Sequence, residues 1–146
     1  MYNVIDLSNY IIAAFEKRKA PITNLKLQKV LYYIQGYFYS ELGRAAFYDD
    51  LCAWTYGPVV PLAYYEYHLF GSAPLSVNKE VKLFADREER RIIDRIIDKC
   101  KGISSSRLVS MTHDETPWKS VSVGETIPNQ VIEKFFLTND PLGLRT

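Results

Sequence analysis

Cys52, His113 and Asp114 supply, by residue type, a thiol nucleophile, an imidazole base and a carboxylate to orient it, the set used in covalent hydrolysis. Type alone is weak evidence, because any chain of 146 residues contains such a triplet. Nothing in the sequence puts Cys52 at a helix N-terminus or in a strained elbow, where a thiol becomes reactive. Cys52, His68, Cys100 and His113 could in the same formal way offer four zinc ligands. Structural zinc sites pair their ligands two to four residues apart, and that spacing is absent. Cys100 instead continues a stripe of isoleucines and reads as a small core hydrophobe. No glycine-rich phosphate loop occurs. No catalytic residue, metal ligand or cofactor site is therefore expected. In isolation, His113 reads as a histidine that hydrogen-bonds a carbonyl or a neighbouring acid at a helix end.

Binding chemistry is better represented. Lys17, Arg18, Lys19, Lys26, Lys29 and Arg87, Arg90, Arg91 and Arg95 could meet phosphates, and Tyr32, Tyr33 and Tyr37 could stack on bases. However, 18 basic against 17 acidic residues leave a net charge of +1, which is no footprint for duplex nucleic acid. Arg90 has Asp94 four residues on, and Arg95 has Asp98 three residues on, spacings that suit a self-paired, solvated helix face. A small nucleic-acid-binding regulator and a cryptic hydrolase built on Cys52 and His113 remain the alternatives. The segment from Ala53 to Pro61 points elsewhere. Trp54 and Tyr56 sit directly before Gly57-Pro58, a pair that reads as a rigid turn aiming the two aromatics. Aromatics make up 14% of the chain, with 11 tyrosines, and tyrosine suits a polar-rimmed contact surface as well as a core.

The elements that must position these residues read as mostly α, about six helices and at most one small hairpin, in a single domain over residues 1–146. A chain of this size buries roughly 68–70% of its unfolded surface and needs no disulfide or metal to hold a core. Leu7, Ile11, Ala14 and Phe15 recur at helical spacing, and Pro21 interrupts that helix. Thr23 suits the N-cap of a second helix, with Leu27, Val30, Leu31, Ile34, Phe38 and Leu42 as its stripe and Gly43 as its stop. Gly36, in mid-helix, predicts the close approach of another element. Tyr33, Tyr37 and Phe38 cannot share one face of that helix, so exposed aromatics are expected as interface anchors. Residues 51–56 can form a short strand, and a helix is expected from about Val60 to Phe70. Val81-Lys82-Leu83-Phe84 alternates like a second strand. Residues 86–101 give the clearest helix, with Asp86 and Glu89 spaced as a capping box. A short helix follows Ser104, Pro117 breaks the chain, and Pro128 opens a last helix with Val131, Ile132, Phe135 and Phe136 facing inward.

Three motifs occur in order. They are Thr23-Asn24-Leu25-Lys26-Leu27-Gln28-Lys29-Val30-Leu31-Tyr32-Tyr33-Ile34-Gln35-Gly36-Tyr37, then Ala53-Trp54-Thr55-Tyr56-Gly57-Pro58-Val59-Val60-Pro61 followed by Tyr64, then Thr112-His113-Asp114-Glu115-Thr116-Pro117-Trp118. Their order and spacing resemble the SocA-like Panacea domain, a family of phage-associated proteins, over nearly the whole chain. The resemblance implies a bacterial or prophage protein of the cytoplasm, an antitoxin that neutralises a cognate toxin by direct contact and is not an enzyme. One branch of the family works as an adaptor to a protease, so a protease or chaperone is a second class of expected partner. A monomer or homodimer is expected, with no membrane contact. Many members carry a further DNA-binding region; 146 residues leave no room for one, so autoregulation is not expected.

Lys26, Gln28, Tyr33, Gln35, Trp54, Tyr56, Gly57, Pro58, Tyr64, His113, Pro117 and Trp118 carry the signature and are the candidates for the partner surface. The turn at 54–61 and the corner from Thr112 to Trp118 are expected to pack together. Trp54 is expected to be largely buried against the second helix, leaving Tyr56 to reach a partner. The weakly matching span 71–107 is the expected place of partner-specific contacts. Two unpaired cysteines, no apolar run of membrane length and no signal peptide before Asp6 agree with a cytoplasmic protein.

Overall fold

Thr23 Oγ1 accepts from the Lys26 N–H and starts helix α2 (Asn24–Leu42), and Gly43 stops it in the left-handed conformation at φ 68°. A computed structural model describes residues 1–78, 80–83 and 85–145. Around α2 lie helices α1 (Val4–Lys17), α3 (Pro61–Glu66), α4 (Arg87–Cys100), α5 (Ser105–His113), α6 (Thr116–Lys119) and α7 (Asn129–Thr138). Strands β1 (Leu51–Trp54), β2 (Gly57–Val59) and β3 (Thr126–Ile127) form one antiparallel sheet in the order β2-β1-β3. The fold is mostly α, as expected. The short β3 extends the expected hairpin to three strands. Leu51 to Trp54 do form a strand, but the partner is Gly57–Val59. Residues 81–83 form no strand, and Phe84 lies outside the described residues.

The largest departure concerns α2. It is enclosed on all sides by α1, α3, α4, α5, α7 and β2. Residues 26–38 are buried without interruption, so Tyr33, Tyr37 and Phe38 need not share a face and none is left exposed. A helix that is core on every side meets several neighbours rather than one. Its buried polar residues are used internally. Gln35 Nε2 donates to the Phe47 carbonyl at 3.0 Å, and its Oε1 accepts from the Ala46 N–H at 2.7 Å, which ties down the loop before β1. Gly36 meets the expected close approach: the ring of Phe136 from α7 lies directly over it. Of the four residues expected to face inward from α7, Ile132 and Phe136 are fully buried, and Val131 and Phe135 are partly so.

Helix α4 is capped by Asp86, which accepts from the Glu89 N–H, and buries Ile92, Ile93, Ile96, Ile97 and Cys100. The expected pairing within this helix is not made. Tyr10 of α1 donates to Asp94 at 2.7 Å, and Arg18 bonds Asp98 at 2.7 Å. Arg90 and Arg95 donate to the carbonyls of Leu83 and Leu144. Asp94 and Asp98 are drawn to α1 and its C-cap Arg18 because that helix packs along α4, a contact that spacing on one helix cannot reveal. The expected helix from Val60 to Phe70 is also shorter. It ends at Glu66 and gives way to one 3-10 turn (His68–Phe70).

Candidate interaction surface

Trp54 pairs with Gly57 across β1 and β2, so Thr55 and Tyr56 alone make the hairpin turn. Gly57-Pro58, expected as the turn, begins β2 instead. Gly57 is still required there, for two reasons. Its φ is 112°, and a Cβ would lie 2.7 Å from both Lys29 Cε and Thr112 Oγ1. Pro58 costs no ladder bond on this edge strand, and its carbonyl accepts from Lys29 Nζ at 2.9 Å.

The corner from Thr112 to Trp118 holds this turn by its backbone, so the two packed motifs meet as expected. Trp118 Nε1 donates to the Trp54 carbonyl at 2.8 Å, and His113 Nε2 sits 3.0 Å from the Thr55 carbonyl. The His113 and Trp118 rings lie 4.1 Å apart between centroids. Beneath them is Glu115, 7% exposed, whose two oxygens accept from the hydroxyls of Tyr32 at 2.8 Å and Tyr33 at 2.7 Å. Burial pushes the Glu115 carboxyl up to about 7, against the pull of the two tyrosine donors. Burial also pushes the Lys29 ammonium down to about 7. The anchoring roles of Glu115 and Lys29 do not show in the spacing of the motifs that contain them. The signal was the Tyr32-Tyr33 pair: two hydroxyls in a buried helix demand an acceptor.

The N-terminal turns of α2 hold the other side of the turn. Val60 N–H donates to Gln28 Oε1, Gln28 Nε2 to Asn24 Oδ1, and Asn24 Nδ2 to the Tyr64 carbonyl, each at 3.0 Å. Asn24 and Gln28 of α2 thus clamp the chain from the end of β2 into α3. Between these elements opens a groove of about 560 Å³, walled by Trp54, Tyr64, Leu25, Val59 and Val123. Trp54 is half-buried rather than buried, and its ring stands edge-on against Tyr64 and Tyr65 of α3 at 5.0 and 6.0 Å. It therefore packs on α3, not on the second helix as expected. Tyr56 of the groove's lining is 65% exposed, and Tyr65 of α3 and Leu69 of the 3-10 turn are 60% and 89% exposed.

The sequence model for "Antitoxin SocA-like, Panacea domain" matches residues 27–119, a span that holds most of α2, the hairpin and the Thr112–Trp118 corner. The chain belongs to this family. Antitoxin SocA of Caulobacter vibrioides (strain NA1000 / CB15N) is 29% identical to this SocA-like chain over 117 residues, 71% of the chain and 62% of the relative. The chain thus spans less than two thirds of that relative's length. No solved structure matches it.

In this SocA-like chain the signature residues divide by accessibility. Lys26, Gln28, Tyr33, Gln35, Gly57, Pro58 and Pro117 are buried; Trp54, Tyr64, His113 and Trp118 are half-buried; Tyr56 is exposed. Burial also removes Lys26, Lys29, Tyr32, Tyr33 and Tyr37 from any nucleic-acid surface. The Cys52, His113 and Asp114 set is not assembled: Cys52 Sγ faces Thr126 Oγ1 at 3.8 Å, His113 bonds the Thr55 carbonyl, and Asp114 is exposed. Cys100 is sealed in the core, where burial pushes its thiol up to about 12. Among the described residues no three His, Cys, Asp or Glu side chains gather around a common point, and no helix is long and apolar enough to cross a membrane.

Proposed function

We propose that this chain is an antitoxin that neutralises a cognate toxin protein by direct contact, using the face formed by the Trp54–Tyr56 turn, α3 and the 3-10 turn. The observation that carries the reading is the accessibility pattern. Tyr56, Leu62, Tyr65 and Leu69 expose more than half of their surface around an aromatic-walled groove. Exposed apolar side chains on a turn and on the helix that packs against it suit an interaction site, and tyrosine is among the residue types that dominate binding hot spots. The turn is also held from behind by the His113 and Trp118 bonds, so it meets a partner already ordered, which lowers the entropic cost of association.

Co-expression with the protein encoded by the adjacent gene tests this. The wild-type chain should restore growth to cells that express that protein. Tyr56→Ala combined with Leu69→Asp should abolish rescue and weaken binding about thirtyfold or more, the effect of losing one hot spot of ~2 kcal/mol. Because both side chains are exposed, the thermal midpoint should not change. Full rescue by the double variant would refute the face, and absence of any complex with the wild-type chain would refute the function.

A further inference from the structure

We infer that the groove between the Trp54–Tyr56 turn and the first turns of α2 receives an uncharged, apolar segment of the partner protein, with large side chains inserted beside Trp54, Tyr64 and Leu25. The inference rests on the direct-contact reading and adds what the partner must present.

Charge is the first argument. None of the residues that line the groove is Asp, Glu, Lys, Arg or His. The deepest polar side chains are already spent. Both ends of the Asn24 amide are bonded, to the Tyr64 carbonyl and to Gln28, and both ends of the Gln28 amide are bonded, to Asn24 and to the Val60 N–H. Among the described residues every buried side-chain nitrogen and oxygen has a partner. At the edge, the hydroxyls of Thr23 and Ser105 face each other at 3.4 Å. A charged occupant would give up its water and find no counter-charge or free amide in return, whereas an apolar one gains from leaving water.

Extent is the second argument. A volume of about 560 Å³ falls within the usual ~300–1,000 Å³ of ligand sites. A small apolar molecule seated there would still leave Tyr65 and Leu69 in water, which are 60% and 89% exposed and do not line the groove. A protein segment fills the groove and covers these neighbours with the residues that flank its anchors, as the core and rim of a protein interface do. The pattern therefore selects a partner chain over a free small molecule.

The test uses the full-length chain, the protein encoded by the adjacent gene and overlapping synthetic peptides of that protein, with binding measured by calorimetry. Ser72 is exposed and lines the groove, so Ser72→Trp fills its mouth and Ser72→Asp puts a charge there without touching the core. The binding peptide should contain adjacent large apolar residues. Either Ser72 variant should weaken both the peptide and the whole partner by about tenfold or more, and an aspartate in place of the peptide's anchor should abolish binding. If the whole partner binds wild type and both variants equally, or the binding peptide is charged and lacks a large apolar residue, the groove inference is overturned and direct contact stands. If the partner does not bind the wild-type chain, both fall.

Discussion

Gly36→Val is expected to destabilise the chain by about 3 kcal/mol or more, near the upper end of what overpacking a core usually costs. The Phe136 ring occupies the space that a Cβ at Gly36 would need, well inside van der Waals contact. That ring cannot easily move aside. Tyr32, Tyr33 and Tyr37 surround it edge-on, with centroids at 5.5, 6.2 and 5.3 Å. Phe136→Ala alone should also destabilise, by about 3–5 kcal/mol, because it empties a fully buried aromatic site. Combining the two should recover part of the loss, since the valine then enters the space that the ring vacates. The coupling is read from urea midpoints of wild type, both single variants and the double variant. An unchanged midpoint for Gly36→Val, or strict additivity in the double variant, would mean that α7 does not close on α2 in this way.

The second large effect is on the pH dependence of stability. Glu115 titrates near 7 in the fold against an ordinary 4.5. Between those values the folded state holds a proton that the unfolded state has lost, so this group's contribution falls as pH rises from about 4.5 to 7. Lys29 titrates near 7 against an ordinary 10.5. Between those values the unfolded state holds the extra proton, so its contribution rises with pH above about 7. The two together cost most near neutral pH, each on the order of a few kcal/mol. The buried tyrosines oppose the rising limb above about pH 10, because burial and Glu115 raise Tyr32 and Tyr33 beyond their ordinary 10.0. Urea unfolding across pH 5 to 9, compared between wild type and variants, cancels groups common to both. Glu115→Gln should remove the falling limb and Lys29→Met the rising one, the latter at the pH-independent cost of an unpaired Pro58 carbonyl. Parallel pH profiles for wild type and both variants would contradict the burial of these two charges.

What could be read from the sequence was mostly local. The caps at Thr23 and Asp86, the stop at Gly43 and the isoleucine stripe ending in Cys100 each depend on residues a few positions apart. Gly36 was legible for a related reason: a helix-weakening residue inside a strong helix implies a neighbour that needs the space. What was missed depends on contacts far along the chain. Asp94 and Asp98 looked committed to arginines on their own helix, but α1 takes them. Gly57-Pro58 had the chemistry of a turn, yet Lys29 holds the Pro58 carbonyl and Gly57 pairs with Trp54, which leaves the turn to Thr55-Tyr56. Glu115 sits among polar residues in the sequence, and only the fold brings Tyr32 and Tyr33 onto it. The signature motifs were legible as a family pattern but not as a division of labour. Their polar members in α2 clamp the backbone, while Trp54, Tyr56 and Tyr64 border the groove.

Direct contact through this face is the centre of the account, and amide hydrogen exchange tests it most directly. The chain would be compared alone and in complex with the protein encoded by the adjacent gene. The account predicts new protection at residues 54–56, 62–72 and 123–124, with the buried amides of α2 already protected in both states. Protection confined to the outward sides of α4 and α7, with the turn and the 3-10 segment exchanging as in the free chain, would contradict it.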